Sequence, residues 1–326
     1  MGRKRKILVT GGAGYIGSHV VCMLCDLGHT VTIFDNMSLG REENIDLRAR
    51  FVKGDILNDQ DLDLLFSDEF EVIFHFAALK AAGDSMITPE LFAVNNISGT
   101  ISLLNTAIKY QVAAFIFSSS AAVYGNPRYL PIDEKHPRDP INYYGYTKLA
   151  IEENLSWYSR IKPIKYAALR YFNATGYDIE GRIRGKEKNP GNLSPIVMET
   201  ASGIRKSMKV FGDDYDTPDG TCIRDYIHVN DLAEAHILAM DYIFENKRNL
   251  TVNLGTGSGY SVLEVIEKAI EISGQPVPYE IGGRRPGDPP ELFADCTLAE
   301  KELGWKAKYS DIETIIKSMC PVYLDS

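Results

Sequence analysis

Tyr144 and Lys148 stand four residues apart in Asn142-Tyr-Tyr-Gly-Tyr-Thr-Lys148, so on a helix they share one face. A phenol beside an ammonium can serve as a general acid/base. Tyrosine, with a pKa of about 10, is a poor base at neutral pH unless its phenolate is stabilised. Lowering that value by about 3 units takes roughly 4 kcal/mol, which Lys148 and a cofactor cation can supply in a dry cleft. Neither Tyr143 nor Tyr146 has a lysine four residues on. Tyr158 and Lys162 repeat the spacing, but they lie 14 residues further on, against Pro163, roughly 21 Å along a helix. Exposed Tyr–Lys pairs are common, so the spacing alone leaves an ordinary surface pair equally open.

The second group is Gly11-Gly-Ala-Gly14-Tyr15-Ile16-Gly17, directly after an apolar β-branched run. Glycines at this spacing allow a tight turn, a close backbone approach to a pyrophosphate, and close helix–strand packing. The helix that opens there offers free N–H groups and positive dipole to phosphates. Asp35 with Asn36 follows at the end of the next apolar run, Asp35 lying 18 residues beyond Gly17. A carboxylate there accepts hydrogen bonds from adenosine ribose hydroxyls and repels a 2′-phosphate, which selects NAD over NADP. The competing reading of Asp35 is a solvated turn residue.

Elements that position these groups alternate. Strands are expected at Lys6–Thr10, Thr30–Phe34, Arg50–Lys53, Glu71–Phe76, Ala114–Ser118 and Lys165–Tyr171, with helices near 14–27, 59–67, 89–110 and 143–161. This is the pattern of βαβ units, and the fold class expected is α/β, a Rossmann-type doubly wound parallel sheet. Beyond Asn173 the chain changes character. Residues 174–194 read as a long loop, while Val229–Glu245 and Thr251–Leu254 read as a helix and strand returning to the first domain. Ser261-Val-Leu-Glu264 and Thr297-Leu-Ala-Glu300 have capping-box spacing, and Gly282–Pro290 is too rich in Gly and Pro for regular structure. We therefore expect a nucleotide-binding domain of residues 1–173 plus about 226–256. A smaller, discontinuous C-terminal substrate domain takes about 174–225 plus 257–326.

Composition narrows the class. Apolar residues make up 44% of the 326 and charged residues 24%, values of an ordinary globular chain. The net charge of −9, from 35 basic and 44 acidic residues, argues against nucleic acid or an anionic membrane as partner. The basic opening Arg3–Lys6 leads into no signal-peptide apolar core, and no apolar run approaches 18 residues, so the expectation is a cytoplasmic protein. Five cysteines are scattered. Cys22 and Cys25 form a CxxC without a second pair or a nearby histidine, and they read as helix hydrophobes, with no metal site expected. The histidines have no partners at metal-ligand spacing and read as structural.

Several stretches carry a resemblance. The glycine fingerprint, a serine ending the fifth strand (Ser120) and Tyr-x-x-x-Lys resemble the extended short-chain dehydrogenase/reductase superfamily. Thr10–His19, His75-Phe-Ala-Ala-Leu-Lys80, Ser118–Gly125, Leu169-Arg-Tyr-Phe-Asn173, Arg224-Asp-Tyr-Ile-His228, Asn253–Gly257 and Arg285-Pro-Gly-Asp288 resemble the UDP-glucose 4-epimerase family. The similarity runs from about residue 6 to 305.

That resemblance implies Tyr144 as acid/base, Lys148 as its electrostatic partner and cofactor ribose ligand, and Ser120 as hydrogen-bond donor to the reacting oxygen. It places Gly11, Gly14, Tyr15, Ile16 and Gly17 at the NAD pyrophosphate, Asp55 and Ile56 at adenine, and Phe76, Ala77, Ala78, Lys80, Asn95, Ser118 and Phe172 along the rest of NAD. It assigns Asn173, Asn192, Arg224, Arg285 and Asp288 to a UDP-hexose, together with Lys80, Ser120 and Tyr144. Two arginines suit a diphosphate through bidentate pairing, although any one loop arginine reads equally well as a surface charge. Arg182, Arg184, Lys186 and Lys188 have no counterpart and read as solvated.

Leu292 falls where related enzymes hold a residue beside the sugar's C2 substituent, which implies some activity on UDP-GlcNAc. A homodimer is implied through helices 89–110 and 143–161. One departure is Ala122, where many relatives have threonine, which removes one polar contact to the sugar. The rival enzyme is a sugar-nucleotide 4,6-dehydratase. It needs an Asp-Glu pair where this chain has Ala121 and Ala122. A non-catalytic NAD-sensing module is the rival of another kind, and it commonly loses the Tyr or Lys present here.

Overall fold

Strand and helix alternate through the first half of the chain as their periodicities dictate. The computed structural model describes residues 3–285 and 287–325, and Pro286 of the Arg285–Asp288 stretch lies outside them. Strands β1 (Lys6–Thr10), β2 (Thr30–Asp35), β3 (Arg50–Lys53), β4 (Val72–His75), β5 (Ala114–Ser120), β6 (Lys165–Tyr171) and β7 (Leu250–Leu254) form one sheet in the order β7-β6-β5-β4-β1-β2-β3. The pairs β1–β2, β2–β3, β1–β4 and β4–β5 run parallel. The order reverses at β1, which makes the sheet doubly wound and puts a ligand crevice at the strands' carboxyl ends.

Chain contacts divide the molecule into two units: Met1–Gly125, Arg138–Arg170 and Ala233–Val252, and Asn126–Pro137, Tyr171–Leu232 and Asn253–Ser326. Residues 126–137, 171–173, 226–232 and 253–256, expected in the first domain, thus belong to the second unit.

In the first unit, helices α1 (Tyr15–Asp26), α2 (Asp59–Leu65), α3 (Pro89–Lys109) and α4 (Tyr143–Ile161) flank the sheet. Leu8, Phe34, Leu62, Ile73, Leu103, Phe115, Ile151 and Leu155 are buried together in its core. Sequence signals explain the ends of α4. The Asn142 side chain accepts from Gly145 N–H at 2.8 Å, and Pro163 stops the chain from continuing.

Helix α3 departs from expectation twice. Its centre, Ala93–Ser98, widens into a π-helix, a form frequent near functional sites. It is also long and apolar enough to cross a membrane by length and composition, contrary to the sequence reading. Asn96 and Thr100 are nonetheless buried and hydrogen-bonded inside the unit, as in a core helix of a globular fold.

The second unit holds what local patterning missed. Leu193–Ala201 is a helix where only a long loop was expected to end. Met208–Phe211 pairs in parallel with Tyr279–Gly282, and Ile223–Arg224 lies between Tyr260–Ser261 and Glu291–Leu292. Ser261 forms the capping box its spacing announced. Thr297 does not: Cys296 takes the N-cap position without a side-chain hydrogen bond, and Thr297 is already the first helical residue. Arg182, read as solvated, binds Asp178 through Nε and Nη2 at 2.8 Å each.

Candidate active site

The glycine loop is built for close approach. Gly11 has φ +73°, and a Cβ there would lie 2.6 Å from the Ala77 nitrogen, so only glycine fits between β1 and the turn after β4. A Cβ on Gly17 would collide with the Gly11 carbonyl. Gly14 is the N-cap of α1 with no side chain capping the helix, which leaves the helix N-terminus facing the carboxyl end of the sheet. Asp35, expected at the ribose, is buried and accepts from Ala13 N–H at 3.0 Å and Met37 N–H at 2.8 Å. These bonds fix the carboxylate and stiffen the loop. Asn36 Nδ2 donates to Asp55 Oδ2 at 3.0 Å, and Ile56 is buried next to it, so the two expected adenine residues are tied to the end of β2. Among the described residues, no group of three His, Cys, Asp or Glu could hold a metal.

The expected catalytic residues meet at the end of β5. Ser120 hydrogen-bonds the Tyr144 hydroxyl, and Lys148 Nζ donates to the Ser118 carbonyl at 2.8 Å. The ammonium stands 5.7 Å from the Tyr144 ring centroid and 5.0 Å from that of Phe117. Tyr144 N–H donates to Ser85 Oγ at 3.0 Å, so a buried serine from the segment after Lys80 holds the first turn of α4. Tyr158, the competing tyrosine, binds Asn105 at 2.9 Å in an exposed position.

Ionisation differs from the sequence-based expectation of a lowered tyrosine. Burial raises Tyr144 to about 12 against the opposing Ser120 hydrogen bond. Burial likewise lowers Lys148 to about 7, against the pull of Glu152. In the protein alone desolvation dominates at both groups, because a low-dielectric site penalises both charged forms. Additional positive charge in the site is what a phenolate requires.

Cofactor-side residues lie on one stretch. His75, buried, joins Thr10 Oγ1 at 2.7 Å and Thr100 Oγ1 at 2.8 Å. Its burial keeps it neutral, near 3, consistent with a structural role. Phe76, Ala77 and Ala78 follow β4 directly. Lys80 reaches solvent while the surrounding protein lowers its ammonium to about 8. Asn95 stands on the π-helix and donates to Asn96 Oδ1 at 3.0 Å. Asn96 was not singled out from sequence. Its amide accepts from Leu79 N–H at 2.8 Å and donates to Leu79 O at 2.9 Å, clamping the loop that carries Lys80. Its burial was invisible to helical spacing because a π-turn shifts the phase of the face.

In the second unit, Phe172 is buried and Asn173 Nδ2 donates to the Asp225 carbonyl at 3.0 Å. Asn192 is the N-cap of Leu193–Ala201, and its side chain makes no capping bond. Arg224 and Asp288, both expected at UDP, lie 3.5 Å apart as an ion pair, and Arg285 sits over the Phe211 ring at 4.2 Å. Leu292 is directly opposite Arg224 in the parallel pairing. Asp225, also not foreseen, is fully buried and accepts from Thr256 N–H at 2.8 Å and Ala294 N–H at 3.1 Å. It joins three loops around Arg224.

A glycine cradle on a doubly wound sheet, with a Ser–Tyr–Lys group at the carboxyl end of β5, defines a nucleotide-dependent enzyme of the short-chain dehydrogenase/reductase type. The sequence matches the NAD dependent epimerase/dehydratase family over residues 7–255, and the chain belongs to that family. It is 45% identical over 313 residues to a UDP-glucose 4-epimerase of Halalkalibacterium halodurans, covering 95% of this chain and 93% of that protein. It is similar to the crystal structure of UDP-glucose 4-epimerase from Brucella ovis in complex with NAD, with TM-score 0.95, 43% identity and 98% of each chain covered. It is also similar to the UDP-Glc/GlcNAc 4-epimerase of Campylobacter jejuni, with TM-score 0.85, 40% identity, and 96% and 97% of the two chains covered.

Proposed function

We propose that this chain interconverts UDP-glucose and UDP-galactose by inverting C4 of the hexose, with tightly held NAD. The observation that carries the reading is the grouping of Tyr144, Ser120 and Lys148 at the end of β5, in the same unit as the glycine cradle. The cradle, which a Cβ at Gly11 or Gly17 would fill, fits a dinucleotide, with Asp35, Asp55, Ile56, Lys80 and Asn95 as further contacts. NAD held by these residues would supply the hydride acceptor and donor for C4.

The chain's own residues handle the proton. Tyr144 accepts it from the C4 hydroxyl and later returns it, Ser120 donates a hydrogen bond to the reacting oxygen, and Lys148 stabilises the phenolate. Asn173, Asn192, Arg224, Arg285 and Asp288 hold UDP, which requires Asp288 to share Arg224 with the diphosphate. A 4-keto sugar free to turn over in the site would present its other face for reduction, and the product would differ only at C4. Small apolar side chains at Ala121 and Ala122 lack the acid and base that a dehydratase needs to expel water, which favours epimerisation.

The test is incubation of the purified protein with UDP-glucose, with products resolved by NMR. UDP-galactose is expected, without a stoichiometric rise in absorbance at 340 nm. Net NADH, or a 4-keto-6-deoxy sugar, would overturn the reading.

The same reading makes the protein a homodimer. Leu91 (56% exposed) and Val94 (51%) on α3, with Trp157 (62%) and Ile161 (68%) on α4, leave apolar surface that a two-fold copy would cover as a four-helix bundle. Light scattering is expected to give twice the chain mass at micromolar concentration, and Trp157→Glu with Ile161→Glu to give the single chain. A monomeric wild type would count against it.

A further inference from the structure

Helix α4 meets the end of β5 in three successive contacts, and the proton-transfer reading uses only two. Tyr144 meets Ser120 and Lys148 meets the Ser118 carbonyl. One further turn along, Glu152 Oε1 accepts from Ser119 Oγ at 2.5 Å. Tyr144, Lys148 and Glu152 are spaced by four residues each, so they form one row on the helix.

Glu152 is 4% exposed, a burial that an ionised carboxylate tolerates only with a close partner. Arg170, from β6, provides it: Nε lies 2.8 Å from Oε1 and Nη2 2.6 Å from Oε2. Arg170 is equally buried and also donates to the Tyr124 hydroxyl at 2.9 Å. Such a pair is costly to bury and contributes little net stability compared with apolar residues of the same volume. Its place behind the catalytic row suggests a use.

We propose that Glu152 is a positioning residue for proton transfer, which keeps Lys148 in its ammonium form while Arg170 and Ser119 hold the carboxylate in place. The inference rests on the assignment of Tyr144 and Lys148 to the proton step. Glu152 is the nearby anion. Beside the same ammonium are Tyr144 on α4 and His75 on β4, neutral at working pH, while Arg170 on β6 and Arg138, 3.7 Å away, pair with Glu152 itself. The attraction of Glu152 opposes the burial that lowers Lys148. Since the ammonium is the active form, activity is lost as pH rises through the lysine's pKa. Removing the anion brings that loss to lower pH.

The test compares kcat–pH profiles of holoenzymes at saturating UDP-glucose. Glu152→Gln is expected to move the alkaline limb down by about one pH unit, a roughly tenfold loss on that limb, with KM within about twofold. An alkaline limb coinciding with the wild type's would overturn the proposal. If the unpaired Arg170 keeps that variant from folding, Glu152→Met combined with Arg170→Met removes both charges together. Its limb is expected to shift in the same direction by a smaller amount, and no shift overturns the proposal there too. Tyr144→Phe run alongside separates the two ideas. If it stays active the proton-step assignment fails, whereas an inactive Tyr144→Phe with an unshifted Glu152→Gln limb sinks this inference alone.

Discussion

Replacing Tyr144 by phenylalanine is expected to leave a folded protein that binds NAD and to lower kcat by roughly 10²–10⁴-fold, the usual worth of a positioned acid/base. The backbone of Tyr144 is held by Ser85 Oγ, and the next residue, Gly145, by the Asn142 cap. The substitution keeps both contacts and removes only the hydroxyl and its bond to Ser120. Loss confined to kcat is therefore the expected form. Tyr158→Phe serves as the control, since its hydroxyl makes one exposed bond to Asn105, and activity should hardly change. Equal losses in the two variants would show that the wrong tyrosine had been chosen.

The second large effect concerns substrate breadth and rests on Leu292. That residue is half-buried and pairs opposite Arg224, which the reading places at the diphosphate, so its side chain belongs to the same short sheet as a substrate anchor. Leucine is smaller than tyrosine, and an acetamido group at C2 can be accommodated with modest repacking. Overpacking typically costs 1–3 kcal/mol, so UDP-GlcNAc should be turned over roughly five- to 150-fold less efficiently than UDP-glucose. Leu292→Tyr should widen that gap further, read as the ratio of kcat/KM for the two sugars. A tyrosine variant no more selective than wild type would leave Leu292 as a packing residue only.

Much of the catalytic unit was legible before any coordinates because its signals are local. Strand and helix periods located β1, β3, β6 and α4 to the residue. Four-residue spacing aligned Tyr144 with Lys148, and the glycine fingerprint marked a turn where, at Gly11, the backbone passes within 2.6 Å of a would-be Cβ. The Ser261 capping box was readable for the same reason, since both partners lie within one helical turn. Thr297 had the same spacing and no box, because the chain enters that helix from Cys296 instead.

What the sequence determined by itself is the class of chemistry: a nucleotide cradle, an acid/base pair on one helix face, and the alternation of elements that brings them to the same end of a sheet. Tertiary structure alone decided how these groups are supported and charged. Glu152 and Arg170 lie 18 residues apart, Asn96 and Leu79 17, and Asp225 and Ala294 69. Pairings over such distances leave no periodic trace. The ionisation of Tyr144 and Lys148 follows from how much water the packed elements exclude and which buried charges they bring near, and neither is a property of a spacing along the chain.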